Sequence, residues 1–219
     1  MVVILLLIAI AVMVLVDIFV IRAKSAKLGG QFASPTVFNK KSIIAPEGYY
    51  FSKGHVWAQM MGSEKIKAGI DDFVIHALGK LQVSEIIPAG TKIRKGDVMI
   101  KGKFDSKLVS FLSPVDGVID SINKNILGKV ISDPYNNDWG VVIKTDNANN
   151  SLNPFFLGNN AVNWMKDEFK KLKEFLVMNS YKPGLAGVTM YDGGNVVEGA
   201  IANLDDNGMK DFEAMFLSL

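Results

Sequence analysis

The chain has 219 residues, 49% of them hydrophobic, and its 24 basic and 22 acidic side chains leave a net charge of +2. That is enough apolar material for a core, and too even a balance for a nucleic-acid-binding face, which needs concentrated Lys and Arg. The lack of cysteine removes disulfides, thiol catalysis, iron–sulfur ligation and thiolate zinc sites. The only histidines are His55 and His76, so no metal centre is expected.

Residues 2–21 carry a single charge, Asp17, and as a helix would measure about 30 Å, the thickness of a bilayer core. The sequence therefore predicts one membrane-spanning anchor over residues 1–22. No basic residue precedes it, whereas Arg22, Lys24 and Lys27 follow. The positive-inside tendency then puts the N-terminus outside and the rest of the chain at the cytoplasmic face of the inner membrane. The run is too long for a cleaved signal peptide and lacks its basic leading residues. Asp17 is a candidate for pairing with a basic group on another subunit; the plainer reading is a carboxylate that reaches the headgroups.

Residues 23–48, with their Ser, Gly, Pro, Lys and Asn, read as a juxtamembrane linker that packs locally around Phe32 and Phe38. From Tyr49 to Lys144 the apolar runs are short (VWAQM, KIKAGI, VSEII, VMIKGKF, LVSFL, GVIDSI, GVVIK) and are separated by turn residues, the pattern of a small antiparallel sandwich or barrel. Asp71 to Leu78 could form a helical turn before Gly79. Pro114 to Gly117 reads as a turn in which Gly117 supplies a positive φ. The principal domain is thus residues 49–150.

Residues 151–219 form a helical extension. Met165, Phe169, Leu172 and Leu176 recur at steps of four, three and four, with Val162 and Phe175 beside them, predicting an amphipathic helix whose apolar stripe packs on the sandwich. A loop with Pro183, Gly184, Gly187, Gly193 and Gly194 follows. Asp205 or Asp206 caps a last short helix bearing Met209, Phe212, Met215 and Phe216. This apolar terminus either docks on the chain itself or awaits a partner, which makes Phe212 and Phe216 candidate partner-binding residues.

Several pieces occur in order: KGHVW at 53–57, AGIDDF at 68–73, LGKL at 78–81, PAGTKIRKGD at 88–97, SPVDGVI at 113–119 and DPYNNDW at 133–139. In this order they resemble the H protein of the glycine cleavage system. The resemblance implies a mainly β, barrel-sandwich hybrid (lipoyl-type) domain, and to it the residues read above add the N-terminal transmembrane helix and the C-terminal amphipathic helices. It also implies a carrier lysine at a hairpin tip, joined by an amide to lipoate, eight residues before the proline of the SPVDG-like turn. Counting back from Pro114 reaches Ser106, whose hydroxyl cannot form that amide. Lys107 stands one position late, and along a strand a shift of one turns a side chain to the opposite face, a rule that softens at a turn. His55 matches the family's His before Trp, with Val56 where an acidic residue is usual.

Asp71 with Asp72, and Asp205 with Asp206, suit caps and turns better than acid–base couples, and no nucleophile, base and oxyanion set can be assembled, so no enzyme is expected. The first expectation is a non-catalytic, membrane-anchored H-like subunit without cofactor. It would serve as an assembly or docking module for other subunits of a membrane-associated complex, such as one that moves electrons. The alternative is a lipoyl carrier of the H type, shuttling an aminomethyl or related group on lipoate at Lys107.

Overall fold

The computed structural model describes residues 36–180, 190–191 and 195–219. The expected anchor, Asp17, the first half of the linker (residues 23–35) and the glycines of the glycine-rich loop lie outside the described residues. Among the described residues no helix is long and apolar enough to cross a membrane. Residues Val37–Leu219 form one unit.

In chain order that unit contains β1 (Val37–Phe38), β2 (Tyr50–Phe51), β3 (Val56–Met60), β4 (Lys65–Ile70), α1 (Asp72–Leu78), β5 (Gln82–Ile86), β6 (Lys92–Ile93), β7 (Val98–Phe104), β8 (Lys107–Leu112) and β9 (Gly117–Ile122). A 3-10 turn at Lys124–Ile126 leads to β10 (Val141–Lys144), α2 (Ala148–Leu152), β11 (Phe156–Leu157) and the long α3 (Gly158–Ser180). After β12 (Met190–Tyr191) and β13 (Asn195–Val197) come a second 3-10 turn, Ala200–Asn203, then α4 (Asp206–Phe212), which runs into a π-helical turn, Glu213–Leu217.

The strands pair antiparallel in three sheets: β11-β2-β3-β4-β10-β9-β6, β5-β7-β8, and the small β1-β13-β12. The first two make the expected β sandwich. Inward side chains alternate along the strands, as Val109 and Phe111 of β8 show, and this period of two is what the short apolar runs encode. A bulge in β7 between Val98 and Ile100 shifts its register against β8, and another leaves Asp120 of β9 unpaired opposite Val142 and Ile143 of β10.

Gly117 corrects one expectation. Its φ is not positive; a Cβ there would lie 2.3 Å from the Lys144 carbonyl oxygen, so glycine is required by the close approach of β9 to β10. The DPYNNDW segment is a self-bonded loop, with Asp133 accepting from the Asn137 backbone and the Asn136 side chain, and Asp138 accepting from the Ser132 and Asp133 N–H groups. From it Tyr135 reaches the core, accepts from the Asp72 N–H and donates to the Ile44 carbonyl, pinning the start of α1. Trp57, Phe73 and Tyr135 are buried as their aromatic bulk suggests.

The amphipathic stripe of α3 packs on the sandwich: Met165, Phe169, Leu172, Phe175 and Leu176 are all buried. The apolar terminus docks on the same core, with Phe212 and Phe216 fully buried. Here the wheel drawn from sequence is off by one residue. The π turn widens the spacing, so Met215 swings out to 43% exposure and Leu217 goes in.

Candidate functional site: the hairpin tip and the buried histidine

The β7–β8 hairpin closes on two loop residues, Asp105 and Ser106, so that Phe104 pairs with Lys107. Tight two-residue hairpin turns need a positive φ at their first position, a requirement usually met by glycine or Asn. Here Asp105 adopts it at +50°. Ser106 is exposed at the tip, where the sequence count puts the carrier position, and its hydroxyl lies 3.5 Å from Asp105 Oδ2.

Lys107 opens β8 with the parity of Val109 and Phe111, and therefore belongs to the inward face of the strand, while Leu108, on the outer face, is 65% exposed. The inward face at this end of the hairpin is covered by the second 3-10 turn. Lys107 is half-buried there, and its Nζ donates a 2.6 Å hydrogen bond to the Ala202 carbonyl. The resemblance implies a free arm at this tip; in this structure the neighbouring Lys107 amine is engaged by a segment beyond the sandwich.

The second cluster surrounds His55. The ring is fully buried, on a backbone with φ of +57°, stacked against Phe73 at 4.6 Å and tilted against Trp164 at 5.0 Å. Its Nδ1 lies 2.7 Å from Asp71 Oδ2. The other oxygen of Asp71 accepts the Val74 N–H, so one carboxylate caps α1 and holds the imidazole. Nε2 faces Glu168 Oε2 at 3.7 Å, close enough for charge attraction and too long for a hydrogen bond. Burial alone would lower the affinity of the ring for a proton, but Asp71 first, and then Glu168, outweigh it and raise the His55 pKa to about 9. Burial likewise pushes Glu168 up, and His55 with Lys171 more than reverses this, leaving it below its ordinary value. Lys171 also donates to the Met215 carbonyl and sits over the Phe216 ring. The chain of charge runs from α1 through His55 to α3 and the C-terminal turn, and it ties the extension to the sandwich.

His76, at the other end of α1, lies 3.4 Å from Asp72, and its Nδ1 donates to Glu198 Oε1 at 3.3 Å. The Asp72 contact raises its pKa most, against the opposing effect of partial burial. Both expected pairs of acids turn out to be cap or first-turn residues: Asp71 and Asp205 accept helix N–H groups at positions Val74 and Gly208. Among the described residues no cluster is placed to hold a metal ion; the carboxylates beside His55 meet opposite nitrogens of one ring.

The comparisons with known proteins bear on this arrangement. The profile of the family described as glycine cleavage H-protein matches residues 49–168, more than half of the chain. The chain belongs to the glycine cleavage H-protein family. A probable glycine cleavage system H protein of Pyrococcus horikoshii is 30% identical over 109 residues, which cover 48% of this chain and 81% of that protein. The glycine cleavage system H protein of Thermoanaerobacter pseudethanolicus is 31% identical over 101 residues, 45% of this chain and 79% of the relative. A crystal structure of a glycine cleavage system H protein from Mycobacterium marinum aligns with a TM-score of 0.43 at 18% identity, covering 47% of this chain and 87% of the other. The H-protein match ends at Glu168, the residue that faces His55 from α3.

Sequence reasoning identified Lys107, Ser106 and His55 and missed Glu168, Trp164, Glu198 and Ala202. Glu168 and Trp164 could have been found: on a helix wheel they fall beside Met165 and Leu172, at the border of the apolar stripe. Ala202 contributes only its carbonyl, and no residue type announces that. Of the partner-binding candidates, Phe212 and Phe216 are enclosed in this chain's own core and offer a partner no surface.

Proposed function

We propose that this chain is a non-catalytic carrier of the H type, held at a membrane surface through residues 2–21, with Lys107 as the attachment point for a lipoyl group. The observation that carries the reading is the position of Lys107. In a chain of the H-protein family, it is the lysine that closes the β7–β8 hairpin, directly after the two-residue loop. Attachment joins Nζ to the acyl carbon of an activated acyl donor such as an acyl adenylate. The ammonium first loses one proton to become the nucleophile; the leaving group then departs with its electron pair and the nitrogen gives up a second proton. The amide keeps one N–H, so the bond to the Ala202 carbonyl has a donor before and after. A single hydrogen bond of a charged amine is worth about 1.5–3 kcal/mol, small beside an irreversible acylation. The relatives named as glycine cleavage system H proteins favour an aminomethyl or related group as cargo.

One observation favours a second reading. Ser106 occupies the counted carrier position and Lys107 lies on the inward face under Ala202. In that reading the chain keeps the H shape without an arm and acts as a docking module for subunits of a membrane-associated complex, for example one that transfers electrons. Peptide mass spectrometry on the full chain, purified in mild detergent from its own cells, separates the two. A lipoyl mass on the Lys107 peptide supports the carrier. An unmodified peptide, with other membrane subunits co-purifying in fixed ratio, overturns it in favour of the module.

A further inference from the structure

We infer that residues 195–204 form a strap that shields the Lys107 amine, so that attachment at Lys107 follows displacement of this strap; the inference rests on the carrier reading above. The strap is a built element with its own footing. Its strand β13 pairs with β1, Val37 opposite Val197 and Phe38 opposite Val196, and Phe38 in turn stacks on His76 at 5.1 Å. Glu198 meets His76, and the Gly199 N–H donates to the His76 carbonyl at 2.9 Å. Gly199 then crosses the end of α1 at Gly79, so closely that a Cβ on Gly79 would lie 3.0 Å from the Gly199 Cα; Gly199 itself has a φ of +75°. Beyond this crossing Ala200, Ile201 and Leu204 are buried, and the intervening Ala202 turns its carbonyl to Lys107 Nζ.

The chemistry of attachment makes this contact obstructive. To attack an acyl carbon, Nζ must present a lone pair to a donor that approaches within bonding distance. Here its nearest polar neighbour is a backbone carbonyl at 2.6 Å, with the 3-10 turn above the inward face of β8. Local opening of such a segment is an ordinary sub-global event, and its cost is set by the apolar side chains that must leave the core, chiefly Ile201 and Leu204. By contrast, Lys103 of the same hairpin pairs opposite Leu108 and is exposed on the outer face, which makes it an internal control.

The test is trace acylation of the full chain in mild detergent with an isotopically labelled amine-acetylating reagent, read as the Lys107-to-Lys103 rate ratio by peptide mass spectrometry. The expected result is Lys107 reacting at least tenfold more slowly than Lys103, with the ratio rising severalfold in Gly199→Val and in Ile201→Ala. Far-ultraviolet circular dichroism checks that each variant is folded. Equal rates in the unsubstituted chain overturn the strap, whatever the variants do. A slow Lys107 that stays slow in both folded variants also overturns it, because something other than the strap then shields the amine. A separate arm supplies lipoate ligase, lipoate and ATP. Faster lipoylation of the variants supports the gating of attachment. Failure to lipoylate a variant whose Lys107 acetylates freely overturns the carrier reading while leaving the shield intact.

Discussion

Raising the pH should loosen the attachment of α3 to the sandwich through one residue, His55. Its folded pKa is about 9 against 6.5 for a free imidazole, so the native state prefers the protonated ring by about 3 kcal/mol. The sign follows from the direction of the shift. Below pH 6.5 the ring is charged in both states and the contribution is complete. Between 6.5 and 9 the unfolded chain releases the proton that the native state keeps, so the contribution declines, and above 9 it is gone. Glu168 is shifted downward, so its part is present above its ordinary value near 4.5 and is lost as the pH falls through its lowered folded value. The Glu168 share of the His55 shift and the Glu168 shift itself describe one contact and are counted once; the larger share comes from Asp71. The assay is urea unfolding of the full chain in mild detergent at pH 6 and pH 10, for the unsubstituted chain and for His55→Gln. Taking the difference removes the titration of lysines and tyrosines common to both. The stability advantage of the histidine chain should shrink by about 3 kcal/mol over that range. An advantage that stays constant or grows would refute the buried cationic ring, as would an imidazole NMR titration with a midpoint near 6.5.

Three further outcomes follow from the packing. Gly117→Ala forces a methyl group against the Lys144 carbonyl and the Ile143 side chain and should cost at least the 1–3 kcal/mol typical of overpacking, read as a lower denaturant midpoint. Phe216→Ala should cost about 3–5 kcal/mol and Met215→Ala under about 0.5 kcal/mol; comparable losses at the two would contradict the π turn. Asp105→Gly should stabilise the hairpin by about 1 kcal/mol by relieving a left-handed backbone, visible as a higher midpoint in thermal unfolding; a lower midpoint would mean that the Asp105 side chain contributes more than the strain it costs.

The β segment was legible because short runs with a period of two and turn residues between them leave few alternatives, and because the ordered motifs supplied the register. The α3 stripe was legible for the equivalent reason at a period of 3.6. The reading failed where geometry departs from the regular period. The π turn moved Met215 out of a stripe drawn for an α-helix, and the demand for glycine at position 117 comes from a neighbouring strand and not from its own dihedral angles. At the hairpin, the count from Pro114 correctly put Ser106 at the tip, and the parity rule put Lys107 on the other side. What covers that side could not be read, because the strap meets Lys107 through a main-chain carbonyl and arrives from ninety-five residues away.

The ends of the sheets have a bearing on strand pairing between copies of this chain. The seven-stranded sheet finishes at both sides in strands of two residues, β11 and β6, too short to template another chain. The small β1-β13-β12 sheet also ends in two-residue strands, whereas β5-β7-β8 is bordered by longer ones, and the outer side of β5 is taken up by bridges from Gln82 to Val130 and Val83 to Leu127. That leaves β8, six residues long, with the C-terminal turn Glu213–Leu217 lying against it. Loss of Phe212 or Phe216 from the core should therefore do more than lower stability: it should release the turn from β8 and leave that strand freer to pair with a second molecule.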